Sequence, residues 1–217
     1  MLIFLFGVNT DDNVFSSSFR ILTCHYLVAR NVTRITMSGK PYFAVIDFEA
    51  TCWEEENRAD QELIEIGCVI VNRSTAEILG EFETFVRPVR YPELSDYCTA
   101  LTGITQKEVD TAPTFPYALG MMVDWLKDPL TYTFCSWGEF DRYMLRSSCR
   151  YHRVPYPFDD EYVDIKPLFV EQVSGRNVPM QKALDMLGIP HEGKLHRALD
   201  DARHIALILQ NMLTADQ

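Results

Sequence analysis

FAVIDFEAT, residues 43–51, decides the reading of this chain. It is an apolar, strand-like run interrupted by two carboxylates, Asp47 and Glu49. Residues two apart in a strand point to the same face, and an ionised carboxylate removed from water is costly unless its charge is compensated. That face therefore either looks into solvent or meets a positive partner.

Working outward, Tyr42–Ala50 reads as a strand buried on both faces, because its apolar content is nearly unbroken. Leu63–Asn72 (LIEIGCVIVN) is a second strand, RSTAE a turn, and Ile78–Arg87 (ILGEFETFVR) a third. Short connections make these three an antiparallel meander, which Pro88 and Pro92 end. Helical spacing follows over Phe115–Leu126, then a strand at Thr131–Trp137 and a helix at Glu139–Arg150. Tyr162–Phe169 fits either strand or helix. Val178–Leu187 is helical and closed by Gly188 and Pro190. The last helix, Ala198–Leu213, puts Leu199, Ala202, Ala206, Leu209 and Leu213 on one face. The pattern predicts an α/β fold: a mixed sheet, antiparallel meander plus parallel strands, flanked by helices, with the acidic strand central.

The chain has 217 residues, room for one good-sized domain with an appendage. Its 47% hydrophobic content supports a packed core. The six cysteines, at 24, 52, 68, 98, 135 and 149, form no CxxC pair, and several lie inside apolar runs. A disulfide framework is not expected, and a reducing, cytoplasmic setting fits. The net charge of −11 argues against coating nucleic acid through a broad basic surface, but not against a local cleft that meets phosphates. Residues 1–39 are expected to form an N-terminal extension, 40–213 the catalytic domain and 214–217 a tail. The opening MLIFLFGV is too short to span a bilayer, so no membrane partner is expected. Residues 1–36 read either as an over-long start upstream of Met37 or as an extension that adds a strand or covers an edge.

Partners for Asp47 and Glu49 can be sought in two places. In HRALDDARHIA, from His196, Asp201 lies on the flank of the apolar stripe, and Asp200 is rotated roughly 100° from it. His196 precedes the helix and can fold over its start. A capping histidine beside an ordinary exposed Asp pair is the plainer alternative. In SWGEFDRYML, Asp141 sits in a first helical turn, where a helix dipole alone favours a carboxylate by ~0.5 kcal/mol. Glu139 is its local competitor for any metal role.

Taken together and in order, D-x-E at Asp47 and Glu49, the aromatic–Asp step Phe140–Asp141 and H-x4-D from His196 to Asp201 resemble the DEDDh 3′-5′ exonucleases of the ribonuclease H-like superfamily. FEATC and LTGIT resemble the RNA-trimming branch that includes KapD-like proteins. The resemblance covers roughly Lys40 to Leu213. It implies an exonuclease domain holding two Mg²⁺ (or Mn²⁺) ions, which clamp an in-line displacement at phosphorus. Asp47, Glu49, Asp141 and Asp201 would be the ligands, since hard oxygen donors suit these ions. His196 would be the general base, histidine being the side chain that changes charge near neutrality. The backbone of Ala50 and Thr51 would approach the terminal ribose, and Leu101, Thr102, Ile104 and Phe140 would wall the last base, with stacking worth ~1–3 kcal/mol per base. On the residues alone, LTGIT is also an ordinary glycine turn, Phe140 a core residue and Trp137 a buried strand residue. The implied partners are single-stranded RNA or DNA 3′ ends, RNA preferred. An inert nuclease-fold regulator and a phosphohydrolase of small phosphate esters are the alternatives.

Overall fold

The computed structural model describes residues 39–55 and 60–215. Of the expected extension at 1–39, residues 1–38 lie outside the described residues. Within them, regular structure runs from Tyr42 to Thr214.

Five strands form one sheet in the order β3-β2-β1-β4-β5. They are β1 (Tyr42–Ala50), β2 (Leu63–Asn72), β3 (Ile78–Phe85), β4 (Tyr132–Ser136) and β5 (Tyr162–Asp164). β1 and β2 pair antiparallel, as do β2 and β3; β4 runs parallel to β1, and β5 parallel to β4. The mixed sheet with a central acidic strand is therefore as the pattern predicts. Seven helices complete the described chain: α1 (Asp96–Thr102), α2 (Gln106–Asp110), α3 (Phe115–Leu126), α4 (Phe140–His152), α5 (Ile165–Phe169), α6 (Met180–Leu187) and α7 (Ala198–Thr214). Two short turns of other helix types add Pro129–Thr131 and Val170–Ser174.

β1 is covered on both faces, which explains its nearly continuous apolar sequence. Phe43 and Val45 pack with α6 and α7, while Ala44, Ile46, Phe48 and Ala50 pack with α3 and α4. Asp47 and Glu49 continue the Phe43–Val45 face. They fall where α7 begins, so the helix that seals the apolar part of that face ends against the acidic part.

Four expectations are refined. β3 stops at Phe85 rather than Arg87: Val86 N still donates to Ile64 O of β2, but Arg87 turns away, donating to Pro113 O and bridging to Thr114. The ambiguous Tyr162–Phe169 is both: a strand to Asp164, whose side chain then accepts from Lys166 N at 3.1 Å and starts α5. α6 begins at Met180 because Pro179 stands before it in extended conformation. Helices α1 and α2, between β3 and α3, have no counterpart in the sequence reading. The five described cysteines are free, and four are buried as small apolar groups. Among the described residues no helix is long and apolar enough to cross a membrane.

Candidate active site

The site lies at the C-terminal end of β1. There Asp47 stands opposite Gly67 of β2, Glu49 stands opposite Glu65, and a register shift follows Glu49. Gly67 has a steric reason to be glycine. A Cβ at that position would overlap the backbone of Ala198 and Leu199, so only glycine lets the start of α7 rest directly on β2. The contact brings the first turn of α7 over the carboxylates of β1.

Asp201 occupies that first turn and is buried. His196 precedes it with a positive φ of 59°, an uncommon conformation for a residue with a Cβ. The reversed backbone lets His196 N donate to Asp201 Oδ2 at 3.0 Å, while Asp201 N donates to Arg197 O at 2.9 Å. Asp141, buried in the first turn of α4, accepts from Phe48 N through Oδ1 at 3.1 Å, which ties α4 to β1 between Asp47 and Glu49. Glu139 is exposed and makes no side-chain cap bond, so Asp141 is the residue of this pair that joins the cluster. One ligand atom each from Glu49, His196 and Asp201 lies within 4.8 Å of the others.

These carboxylates disturb one another. Burial, then the charges of Asp141, Glu49, Asp201 and Glu65, hold the Asp47 carboxyl well above its ordinary range. Burial, followed by Asp201, Glu65 and Asp141, pushes Glu49 up to about 9. Burial raises Asp141 to about 7, against the opposing pull of the Phe48 amide. Like charges held in a poorly solvated pocket resist ionisation. A divalent cation would relieve that resistance, and hard carboxylate oxygens suit Mg²⁺ or Mn²⁺. The fit is also visible at one atom: Asp201 Oδ1 is buried and accepts no hydrogen bond. The fold thus brings Asp47, Glu49, Asp141 and Asp201 close enough for their charges to act on one another, and sets His196 beside Glu49 and Asp201.

Glu65 is fully buried in the same neighbourhood but differs in kind. Arg197 donates to it through Nε at 3.0 and 3.1 Å and through Nη2 at 2.7 Å, and Ala198 N adds a bond at 2.8 Å. Its charge is answered by protein. Sequence reasoning missed this residue, although Glu65 interrupts an apolar strand just as Asp47 does. It also missed His204, a buried residue whose ring nitrogens have no hydrogen-bond partner and whose Nδ1 lies 3.6 Å from Asp201 Oδ1.

The expected substrate walls divide. Phe140 and Leu101 are 36% and 37% exposed and keep apolar surface open to a base. Thr102 and Ile104 are corrected, because both are completely buried. Thr102 Oγ1 donates to Cys98 O and accepts from Ile104 N, and Ile104 packs with Ile64, Cys98 and Val109. Gly103, left-handed at φ 68°, ends α1 between them, and Thr105 caps α2. LTGIT is therefore a helix–helix junction that turns its Thr and Ile inward. Ala50 and Thr51 are buried; Thr51 N donates to Glu62 O, and the Cys98 thiol contacts Ala50 O at 3.7 Å. Trp137, expected as a buried strand residue, lies one residue past the end of β4 and is only half-buried, packing against Phe169 with ring centroids 5.7 Å apart.

A family model described as "Exonuclease" matches residues 44–209. Human 3'-5' exoribonuclease 1 is 37% identical over 183 residues, covering 79% of this chain and 52% of the relative. The Drosophila melanogaster 3'-5' exonuclease Snipper is 29% identical over 207 residues, covering 85% and 74%. Among solved structures, the nuclease domain of 3'hExo, described as a DEDDh family member bound to rAMP, superposes with a TM-score of 0.74 at 36% identity, covering 82% of this chain and 94% of that one. A 3'-exonuclease described in 3'-end specific recognition of a histone mRNA stem-loop gives 0.75 at 35%, covering 82% and 84%. The chain spans about half the length of the first curated relatives it matches.

Proposed function

From the premise that this chain belongs to the DEDDh exonuclease family, with its ribonuclease H-like fold, we propose that it removes nucleoside monophosphates from single-stranded 3′ ends, RNA before DNA. The observation that carries the reading is the convergence of Asp47, Glu49, Asp141 and Asp201, from three separate elements, within interaction range of one another, with His196 beside Glu49 and Asp201. A structural role would not require four carboxylates whose charges oppose one another.

Asp47, Glu49, Asp141 and Asp201 would hold two divalent cations, Mg²⁺ or Mn²⁺, which supply positive charge for the phosphate oxygens and the departing 3′ oxygen. His196 accepts the proton of the attacking water at an imidazole nitrogen. As water bonds to phosphorus, the bond to the 3′ oxygen of the penultimate nucleotide breaks, and a nucleoside 5′-monophosphate leaves. Phe140 and Leu101 offer the exposed apolar faces on which the terminal base rests, a contact tolerant of base identity. The hydrogen bond from the His196 backbone amide to Asp201 ties the base and one ligand into a single unit.

RNA preference draws support from the relatives, of which one is named an exoribonuclease and another is described with an mRNA stem-loop. A ribose 2′-hydroxyl adds a donor and an acceptor with which a protein can tell RNA from DNA. The test is a time course on 5′-labelled single-stranded RNA and DNA of matched sequence, with and without Mg²⁺ or Mn²⁺. Stepwise shortening from the 3′ end, faster on RNA and blocked by a 3′-phosphate, is expected. Equal rates on both would remove the RNA preference. Turnover of a nitrophenyl phosphate monoester without shortening of either oligonucleotide would replace the exonuclease with a small-ester phosphohydrolase.

A further inference from the structure

Helix α4 carries Asp141 into the site at its first turn, and its outer face continues away from it. Phe140, Tyr143, Ser147 and Tyr151 recur at the three- and four-residue spacing that keeps side chains on one face of a helix. Both tyrosines are 54% exposed. At ~1.5 Å of rise per residue the stripe extends about 16 Å from Phe140.

The far part of the stripe lines a cavity of about 190 Å³, together with Gln61, Arg87 and Arg90. The charges there can be assigned one by one. Glu62 also lines it, but its carboxylate is buried and accepts from the amides of Val89, Arg90 and Tyr91 at 3.1, 2.7 and 2.9 Å. Arg90 lies over the Tyr151 ring at 4.9 Å and donates to the carbonyls of Asp60 and Gln61, with the Glu62 and Asp60 carboxylates at 3.9 and 4.0 Å. Arg87 is exposed and has no carboxylate partner among the described residues. Gln61 Oε1 is buried with no hydrogen-bond partner. In a chain of net charge −11, this is a groove with one guanidinium that has no carboxylate partner among the described residues, a second that is paired and stacked on a tyrosine, a hydroxyl and an amide oxygen without a hydrogen bond.

We infer that this α4 groove binds the single-stranded RNA that runs back from the terminal nucleotide, Tyr143 and Tyr151 stacking on bases and Arg87 meeting a backbone phosphate. Alternating aromatic platforms and cations are what single strands require, because every base has a π-face and every linkage a charge. The groove also adjoins the site: Glu62 N donates to Thr51 Oγ1 at 2.9 Å, and Thr51 is two residues from Glu49. A strand leaving Phe140 has this face of α4 as its continuation.

The inference rests on the exonuclease reading for the direction of the strand, and a binding measurement separates the two. Fluorescence anisotropy with 5′-labelled single-stranded RNA of roughly 12 nucleotides, within the size range of such grooves, would be compared with a nucleoside 5′-monophosphate used as competitor, both in Ca²⁺. Arg87→Glu and Tyr143→Ala/Tyr151→Ala, all at exposed positions, should remain folded, the double variant losing only the ring contacts of Tyr151 with Arg90 and His152. Each should weaken the long RNA tenfold or more and leave the mononucleotide within twofold. Arg87→Ala should lower the salt-dependence slope by about 0.7, the value for one phosphate contact on a single strand. Unchanged affinity for the long RNA, or equal loss at both lengths, would overturn the groove. Length-dependent loss in a protein that shortens no RNA would keep the groove and discard the exonuclease; shortening without length-dependent loss would do the reverse.

Discussion

Glu65, completely buried on β2, and Arg197, immediately before α7, meet through both Nε and Nη2 of the guanidinium. The pair sets the starting point of α7, because the same carboxylate also accepts from Ala198 N. Arg197 is preceded by His196 and followed within its helix by Asp201, so the clamp positions both. Arg197→Met should leave Glu65 buried and unanswered, at a cost of about 3 kcal/mol. Urea denaturation in EDTA should register that loss, and turnover should fall beyond what the unfolded fraction explains. A variant with wild-type stability would show that Glu65 is satisfied by the backbone alone.

The carboxylate cluster makes metal-free stability depend on pH with a definite sign. Glu49 is raised to about 9, Asp141 to about 7, and Asp47 well above its ordinary value. Each group binds its proton more tightly folded than unfolded. Their contribution is fully present below the unfolded carboxyl range near pH ~4 and is lost as pH rises through the folded values. In EDTA, thermal stability should therefore decline between about pH 4 and 9. Asp47→Asn should flatten that decline and raise stability at neutral pH, while abolishing nearly all turnover. A melting temperature that rises with pH in EDTA would contradict the assigned burial of these charges.

The parts of this protein that sequence made legible share a physical feature. β1 and β2 are long apolar runs, and α3 carries a plain helical period, so Tyr42–Ala50, Leu63–Asn72 and Phe115–Leu126 could be read residue by residue. Asp47 and Glu49 stood out because they break such a run. Helices α1 and α2 were not legible because they span only seven and five residues, too few for periodicity, and depend on the caps Ser95 and Thr105. Thr102 and Ile104 were misplaced for the same reason: nothing local says which way a junction turns. Glu65 broke a run as visibly as Asp47, but its partner lies 132 residues away and only the folded chain pairs them.

Gly67 is the second device that sets α7 over the site. Gly67→Ala would drive a methyl into the Ala198 carbonyl and the Leu199 amide, backbone atoms that cannot swing aside as a side chain would. Overpacking of this kind costs about 1–3 kcal/mol or more. Because Asp47 lies directly opposite Gly67, the displacement separates Asp201 from Asp47. We expect a lowered melting temperature together with weaker Mn²⁺ binding measured by calorimetry. A destabilised variant that binds Mn²⁺ normally would mean that α7 tilts without moving its first turn.

His196 lies close enough to Glu49 and Asp201 for its imidazole to act either as a base or as a cation ligand, so its substitution must separate these roles. His196→Asn should reduce turnover by roughly 10²–10⁴-fold, the usual contribution of a general base. Cation affinity should stay within about twofold, since all four carboxylates remain. The pH profile carries the decisive information, provided the cation is saturating. Below saturation, protons compete with the cation for Glu49 and Asp141 and create an acid limb of their own. At saturation that contribution disappears, and the remaining limb reports the base, which must be unprotonated to accept the water's proton. In His196→Asn the limb should be absent, leaving a slow rate with little dependence on pH below neutrality. A limb that persists unchanged would assign the proton to another group. Parallel loss of cation affinity and turnover would make the imidazole a ligand.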